Sequence, residues 1–114
     1  MAEQTPSTAA SASTTLSKLT LEFSGGCELL VNKQTKIAVE SKVPTGTTLR
    51  QLVLWIRDHV LAERPDHFVN ATGDGIRPGV LMLVNDCDCE VLGGHDYVVE
   101  EGDVVAFIST LHGG

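Results

Sequence analysis

Alternating apolar and polar residues mark the first predicted strand of this chain. From Lys18 to Ser24 every second side chain is apolar, which is the period of a strand with one buried face; the apolar positions are Leu19, Leu21 and Phe23. Gly25-Gly26 predicts a turn, and Cys27 to Val31 is interpreted as the returning strand of a hairpin. Asn32 to Lys36 is a predicted loop, and a short extended piece from Ile37 to Glu40 follows it.

One segment has the period of a helix. Thr48 and Gln51 form a capping-box pattern, in which a hydroxyl and a side-chain amide satisfy free backbone N–H groups. Apolar residues then recur at helical spacing, at Leu49, Leu52, Val53, Ile56 and Val60. Pro65 is expected to stop the helix. Trp55, inside it, is expected to pack in the core or at its rim.

The second half of the chain carries further strand patterns. After a predicted loop from Asp66 to Gly79, the unbroken apolar run from Val80 to Val84 indicates an inner strand. Glu90 to Leu92 is a candidate short strand. Val104 to Ile108 is apolar on both faces, which predicts a strand at the centre of a sheet.

This order, a hairpin followed by one helix and two or three strands, predicts an α+β roll in which one sheet packs on one helix. Residues 1–17 are mostly Ser, Thr and Ala and are expected to form a disordered polar leader. Residues 18–109 form the predicted domain, and residues 110–114 form a predicted flexible C-terminal tail.

Composition and charge narrow the functional classes. A length of 114 residues suits a single domain, and no stretch reaches the roughly 20 apolar residues that cross a bilayer. The N-terminus lacks the pattern of a secretory signal, so a cytoplasmic or nuclear location is expected. The formal net charge of −7 argues against direct binding to nucleic acid.

The charges are unevenly distributed along the chain. From Pro78 onward there is no Lys or Arg, and the acidic residues there are Asp86, Asp88, Glu90, Asp96, Glu100, Glu101 and Asp103. This half of the chain forms either a solubilising surface or a surface that steers the C-terminus toward a basic cleft.

No catalytic or metal site stands out. The four histidines are scattered, and no spacing suggests a nucleophile, a carboxylate pair or a phosphate-binding loop. Asp86-Cys87-Asp88-Cys89 with His95 nearby offers thiolates for a metal, but it lacks the second cysteine pair of a structural zinc site, so ordinary turn residues are preferred. Cys27, Cys87 and Cys89 are expected to be reduced thiols.

The last residues run from an apolar strand into a glycine pair. Gly113 and Gly114 have no side chains to crowd attack on a terminal carboxyl. Extended, Thr110 to Gly114 reaches about 16 to 18 Å beyond the last strand, enough to enter another protein's active-site cleft. A frayed end is the alternative. We interpret this tail as a substrate.

These residues resemble the eukaryotic ubiquitin-related modifier family, the sulfur-carrier branch of the ubiquitin-like proteins. The matching motifs are Gly25-Gly26-Cys27-Glu28-Leu29-Leu30, Leu54-Trp55-Ile56, Glu63-Arg64-Pro65, Arg77-Pro78-Gly79, Val84-Asn85-Asp86 and Phe107-Ile108-Ser109-Thr110-Leu111-His112-Gly113-Gly114. The longer leader and Cys89, where the family usually has Trp, depart from the pattern. The resemblance implies a β-grasp (ubiquitin-like) roll, with one mixed four- to five-stranded sheet packed on one main helix.

The resemblance also implies a function as sulfur carrier and protein modifier, not as an enzyme, with no cofactor or metal bound. An E1-like activating enzyme with a rhodanese-like domain would use ATP to adenylate Gly114, and a persulfide sulfur donor would convert it to a thiocarboxylate. A tRNA thiolation enzyme complex would pass this sulfur to the wobble uridine of cytosolic tRNA. The activated end would also acylate lysines of target proteins. Gly114 is then the reacting residue, and the activating enzyme recognises Thr110, Leu111, His112 and Gly113.

Two other functions stay open from the sequence. The protein is either a sulfur carrier for synthesis of a small cofactor of the molybdopterin type, or a non-catalytic β-grasp interaction module whose diglycine end is incidental.

Overall fold

The last strand lies at the centre of a mixed sheet. The computed structural model describes residues 14–110, in which five strands have the order β2-β1-β5-β3-β4. The elements are β1 (Leu19–Ser24), β2 (Lys36–Val39), α1 (Leu49–His59), β3 (Val80–Val84), β4 (Cys87–Asp88) and β5 (Val104–Ser109). Strand β5 runs parallel to β1 and antiparallel to β3. The predictions that β5 is central and that β3 is an inner strand are confirmed.

Helix α1 begins as its sequence predicts. The Thr48 hydroxyl accepts a hydrogen bond from the Gln51 N–H at 3.2 Å, and the Gln51 side chain accepts one from the Thr48 N–H at 3.0 Å. This capping box satisfies two backbone donors that the first turn leaves free. The helix buries its apolar stripe completely, at Leu49, Leu52, Val53 and Ile56. Within residues 14–110, no helix has both the length and the apolar content to cross a bilayer.

The helix ends earlier than Pro65. Its last residue is His59, and Val60 and Leu61 both donate to the carbonyl of Ile56. The next amide, of Ala62, donates to Leu30 at 2.8 Å. At Ala62 a hydrogen bond to the distant Leu30 therefore replaces the bond that would continue the helix, although Leu61 and Ala62 are residues that favour a helix.

The segment Cys27–Val31 is a 3-10 helix, so the expected returning strand is wrong. Its buried residues, Cys27, Leu30 and Val31, have the i, i+3, i+4 spacing of a helix face. Gly25 and Gly26 adopt positive φ angles of 67° and 115°, which direct the chain into this turn. The antiparallel partner of β1 is β2 instead.

The expected strand at Glu90 to Leu92 is also wrong. Cys89–Leu92 forms a 3-10 helix, and β4 is limited to Cys87–Asp88. The Asp88 carboxylate accepts a hydrogen bond from the Glu90 N–H at 3.0 Å. This side-chain cap starts a helical turn directly after the short strand.

Three aromatic rings, from β1, β5 and the loop after α1, contact one another in the core. Phe23 on β1 and Phe107 on β5 stack with ring centroids 5.5 Å apart. Phe68 packs edge-on against Phe107 at 5.0 Å, although it belongs to the predicted loop after α1. A 3-10 helix, Pro65–His67, precedes it. The loop is therefore anchored in the core by one ring.

Part of the predicted leader packs against the domain. The side chain of Leu16 is 4% exposed, and the Leu16 N–H donates to Val43 at 2.8 Å. Because the apolar side chain of Leu16 is buried and its backbone is hydrogen-bonded, the packed domain begins before residue 18. The rest of the leader, residues 1–13, lies outside the described residues.

A buried carboxylate fixes the start of β5. Asp103 is 5% exposed and accepts hydrogen bonds from the Tyr97 hydroxyl at 2.7 Å, the Glu100 N–H at 2.9 Å and the Asn85 amide at 2.9 Å. The Asn85 side chain in turn accepts from the Val104 N–H at 2.9 Å. These bonds satisfy the buried charge and tie the β3–β4 turn to β5.

Tyr97 generates a prediction about alkaline stability. Burial, with the hydrogen bond to Asp103 and nearby negative charge, raises the pKa of Tyr97 to about 12 from an ordinary 10.0. A raised folded-state pKa contributes stability that is complete below pH 10 and is lost as the pH rises toward 12. Tyr97→Phe lacks this contribution, so we expect it to be less stable at neutral pH by about 1 kcal/mol.

Urea unfolding of both proteins at a series of pH values measures this difference, which should narrow above pH 10. Because Tyr97 is the chain's one tyrosine, ultraviolet absorbance reports its ionisation directly. A phenol that titrates at its ordinary pKa in the folded protein would contradict the prediction.

Candidate functional site

The candidate site is the point where the chain leaves the sheet at the end of β5. Ser109 pairs with Val80 of β3, and Ile108 pairs with Ser24 at the end of β1. Neighbouring strands therefore flank β5 up to its last residues. We call Ser109 and Thr110 the tail root.

Thr110 is fastened to a single carbonyl. Its N–H and its hydroxyl both donate to the carbonyl oxygen of Gly79, each at 2.7 Å. The position of Gly79 depends on the core. Two residues before it, the N–H of Arg77 donates to the carbonyl of buried Phe68 at 2.8 Å. The direction of the chain at Thr110 is therefore set by the loop that Phe68 anchors.

The turn after β1 packs closely on the other side of the tail root. A Cβ atom at Gly25 would lie 2.5 Å from the carbonyl oxygen of Ser109 and 3.1 Å from its nitrogen. The φ angle of Gly25, +67°, also disfavours a side chain. This position requires glycine for both reasons, because the backbone of Ser109 occupies the space.

A buried thiol also contacts the tail root. Cys27 is 2% exposed, and its sulfur shares a hydrogen bond with the backbone of Ser109. Burial, and next the charge of Glu28, raise the pKa of this thiol to about 11, while the Ser109 hydrogen bond lowers it. Cys27 therefore stays protonated at neutral pH and serves packing, since nucleophilic attack requires the thiolate.

The other cysteines do not form a second site. Cys89 is buried, and burial together with Glu90 and Asp88 raises the pKa of its thiol. Cys27, Cys87 and Cys89 are all free of disulfides. His95 accepts a hydrogen bond from the Ile76 N–H at 3.0 Å. Across the described part of the chain, no three His, Cys, Asp or Glu side chains group to hold a metal ion.

The acidic residues around the start of β5 lie away from the tail root. The turn from Glu100 to Asp103 precedes β5, so it lies at the opposite end of a strand about 17 Å long. Asp86 is near the same end, because the neighbouring Asn85 donates its N–H to Val104 at 2.8 Å. Asp96 forms an ion pair with Arg50 at 2.7 Å. For these residues the placement favours a solubilising role over steering of the tail, whereas Glu28 adjoins Cys27 at the tail root.

Of the site residues predicted from the sequence, Thr110 is described and lies at the tail root. Leu111, His112, Gly113 and Gly114 lie outside the described residues. The supporting residues Gly25, Gly79 and Phe68 were not predicted to act on the tail. Gly25 and Gly79 carried a signal, since glycines in turns mark close backbone approaches. Their position beside the tail root, however, follows only from the pairing of β5 with β1 and with β3.

Comparisons with known proteins show a family match over most of the chain. The sequence profile of the ubiquitin-related modifier (Urm1) family matches residues 18–114. Ubiquitin-related modifier 1 homolog 1 of Arabidopsis thaliana is 49% identical over 102 residues, which cover 85% of this chain and 99% of that protein. The solution structure of Urm1 from Trypanosoma brucei is 54% identical, with a TM-score of 0.75, and the match covers 86% of this chain and 96% of that one.

The fold extends to a more distant protein. The solution structure of small archaeal modifier protein 1 from Methanosarcina acetivorans matches with a TM-score of 0.64 at 11% identity, covering 87% of this chain and 98% of that one. At this identity the likeness concerns the fold alone.

One main helix on a mixed five-stranded sheet, with the last strand at its centre, defines a β-grasp protein of the ubiquitin-like class. The chain belongs to the ubiquitin-related modifier family. It is accordingly a modifier of the sulfur-carrier type and not a catalyst.

The tail root generates a prediction with a matched control. Gly25→Ala places a methyl group against the Ser109 carbonyl, whereas Gly46→Ala meets nothing within 4 Å at a similarly positive φ of +89°. Both substitutions incur backbone strain of about 1 kcal/mol. We expect urea unfolding to show that Gly25→Ala lowers the free energy of unfolding by at least about 1 kcal/mol more than Gly46→Ala does, because only Gly25→Ala must displace the tail root.

Amide NMR spectra test where the damage occurs. Gly25→Ala should shift the resonances of Ser109 and Thr110, and Gly46→Ala should leave them unchanged. Equal losses of stability in the two variants would contradict the prediction, because the close contact of Gly25 with Ser109 would then not affect the free energy of unfolding.

Proposed function

We propose that the protein carries sulfur on its C-terminal Gly114 and is also attached through Gly114 to lysines of other proteins. The main support is the tail root, where Thr110 leaves a central strand with both of its donors on Gly79. The family match, which continues through residue 114, supports extending this role to the residues that follow.

The proposed chemistry begins with activation of the carboxylate. An E1-like enzyme catalyses attack of a Gly114 oxygen on the α-phosphorus of ATP, which forms an acyl adenylate and releases pyrophosphate. The terminal sulfur of an enzyme persulfide, held on a rhodanese-like domain, then attacks the carbonyl carbon and displaces AMP. A second thiol cleaves the sulfur–sulfur bond and becomes part of a disulfide, and the carrier leaves as a thiocarboxylate.

The absence of side chains at Gly113 and Gly114 suits this chemistry. Attack on the carbonyl carbon needs an open approach, and a diglycine end offers no Cβ atom to obstruct it. Thr110, Leu111, His112 and Gly113 would be recognised in the cleft of the activating enzyme. A catalytic group on this chain is unnecessary because the activating enzyme supplies the ATP site and the sulfur donor.

The proposed destination of the sulfur is the 2-position of the wobble uridine in cytosolic tRNA, through a separate thiolation enzyme complex. A net charge of −7 suits a carrier that does not bind the RNA itself. The same activated end would acylate lysine side chains of target proteins. This work would take place in the cytoplasm, and in the nucleus where targets are present.

Reconstitution tests the proposal directly. The full chain is incubated with its activating enzyme, ATP and a persulfide donor, and its intact mass is measured. We expect the mass to rise by the difference between sulfur and oxygen, and only when ATP is present. A gain of a whole sulfur atom would indicate a cysteine persulfide and would contradict the proposal.

Deletion of Gly114 provides the matched variant. The sheet and core are formed within residues 14–110, so the thermal midpoint should stay unchanged while sulfur loading and conjugation are both lost. A shortened protein that still accepts sulfur would refute the role of Gly114.

The destination is tested in cells that lack the protein. We expect wobble-uridine thiolation to disappear while molybdopterin-dependent activity continues, because the proposed carrier serves tRNA. The reverse pattern would assign the carrier to cofactor synthesis, and loss of neither would indicate an interaction module.

A further inference from the structure

A groove separate from the tail root lies between β2 and α1. The cavity has a volume of about 380 Å³, and its apolar walls include Val31, Ile37, Trp55 and Val60. This volume is in the range of sites that bind small molecules or peptide side chains, about 300 to 1,000 Å³. The proposed chemistry at Gly114 does not use this groove.

One wall of the groove is an edge strand. Among residues 14–110, β1 is the strand that pairs with β2, so the far side of β2 carries no neighbour in the sheet. The N–H of Phe23 donates to Thr35 at 3.0 Å, and the antiparallel register pairs Leu21 with Ile37. Because ladder bonds alternate along a strand, Ile37 bonds toward β1, and the N–H and C=O groups of Lys36 and Ala38 point outward.

The side-chain register fits the same geometry. Ile37 and Val39 lie opposite the fully buried Leu21 and Leu19, so they face the helix side of the sheet. A strand added beside Ala38 would direct every second side chain into the groove, about 6.6 Å apart. The edge would supply main-chain hydrogen bonds, and the groove would supply a pocket for an apolar side chain.

The helix wall is held in place before any ligand arrives. The ring of Trp55 stacks on His59 with centroids 4.8 Å apart, and His59 Nδ1 lies 3.0 Å from the carbonyl oxygen of Trp55. A fixed aromatic wall lowers the entropic cost of binding because fewer rotamers are lost.

Charge indicates the kind of ligand. Lys42 and His59 line the groove, and none of its described lining residues is acidic. Lys33 lies between two lining residues, Asn32 and Gln34, and Glu40 follows the lining residue Val39. The nearby carboxylate of Asp58 is bound to Arg57 at 2.9 Å. On a protein of net charge −7, a groove whose lining has Lys42 and no carboxylate favours an anionic ligand.

We propose that the groove between β2 and α1 binds an extended acidic segment of a partner protein, which adds to Ala38 as a further strand and inserts an apolar side chain beside Trp55. A lysine at a sheet edge can also serve only to prevent aggregation, and the experiment separates the two roles. Residues 1–13 offer one acid, Glu3, and few apolar side chains, so they match the groove poorly.

Two synthetic peptides test the proposal on the full chain. One has a Val-Ile-Val core between acidic ends, and the other has the same core between lysines. Amide NMR titration should show saturable shifts at Lys36, Ala38 and the Trp55 indole with the acidic peptide alone. Hydrogen exchange at Lys36 and Ala38 should slow when it is bound, because both groups then donate to a new strand.

Three variants assign the contacts. Lys42→Glu should lower the affinity for the acidic peptide about fivefold or more. Lys18→Glu, which makes the same charge change outside the groove, should alter this affinity less than about twofold. Ala38→Pro removes the outward N–H, a change that an edge strand tolerates, and should abolish protection at this edge. Amide spectra of each free variant confirm that it is folded.

Several results would overturn the proposal. These are equal binding of the two peptides, shifts confined to another surface, or no binding at about millimolar peptide. Slow exchange at Ala38 in the free protein would also overturn it. If that protection grows with protein concentration the occupant is a second copy, and if it does not the occupant is another segment of this chain.

Discussion

The structure depends on the contact of three phenylalanine rings, Phe23, Phe68 and Phe107. They are all the phenylalanines of the chain, they are fully or almost fully buried, and each belongs to a different segment. Removing one such ring typically costs about 3–5 kcal/mol, a large part of the roughly 5–15 kcal/mol that stabilises a domain. The cluster joins the first strand, the long loop and the last strand into one core.

The tail root is supported through this cluster. The carbonyl of Phe68 accepts a hydrogen bond from the Arg77 N–H. Two residues later, the carbonyl of Gly79 accepts both hydrogen bonds that Thr110 donates. On the opposite side, Gly25 leaves room for Ser109. Burial in the core thus determines where the chain leaves the sheet, although none of these residues is expected to touch the reacting carboxyl. The residues that shape the exit of the chain are therefore separate from Gly114, the residue proposed to react.

Local patterns in the sequence predicted much of the fold. The alternation in β1, the capping box at Thr48 and the apolar run of β5 each depend on neighbouring residues, and each prediction is confirmed. The predicted strand at Cys27–Val31 was wrong, because the apolar residues there fit the spacing of a helix as well as that of a strand. Phe68 has no periodic neighbours to indicate burial. The contact of Gly25 with Ser109, and the outward groups of β2, follow from pairing between residues far apart in the chain, which local patterns do not contain.

The central claim is that the fold holds the tail root unchanged while the chemistry takes place at Gly114. Carbon and amide NMR of labelled protein, recorded before and after sulfur loading by the activating enzyme, tests both parts together. We predict a large change at the carbonyl carbon of Gly114, with the amide resonances from Val104 to Thr110 unchanged. An unchanged Gly114 carbonyl, accompanied by a shifted Cβ resonance at Cys87 or Cys89, would contradict the account by placing the sulfur on a thiol.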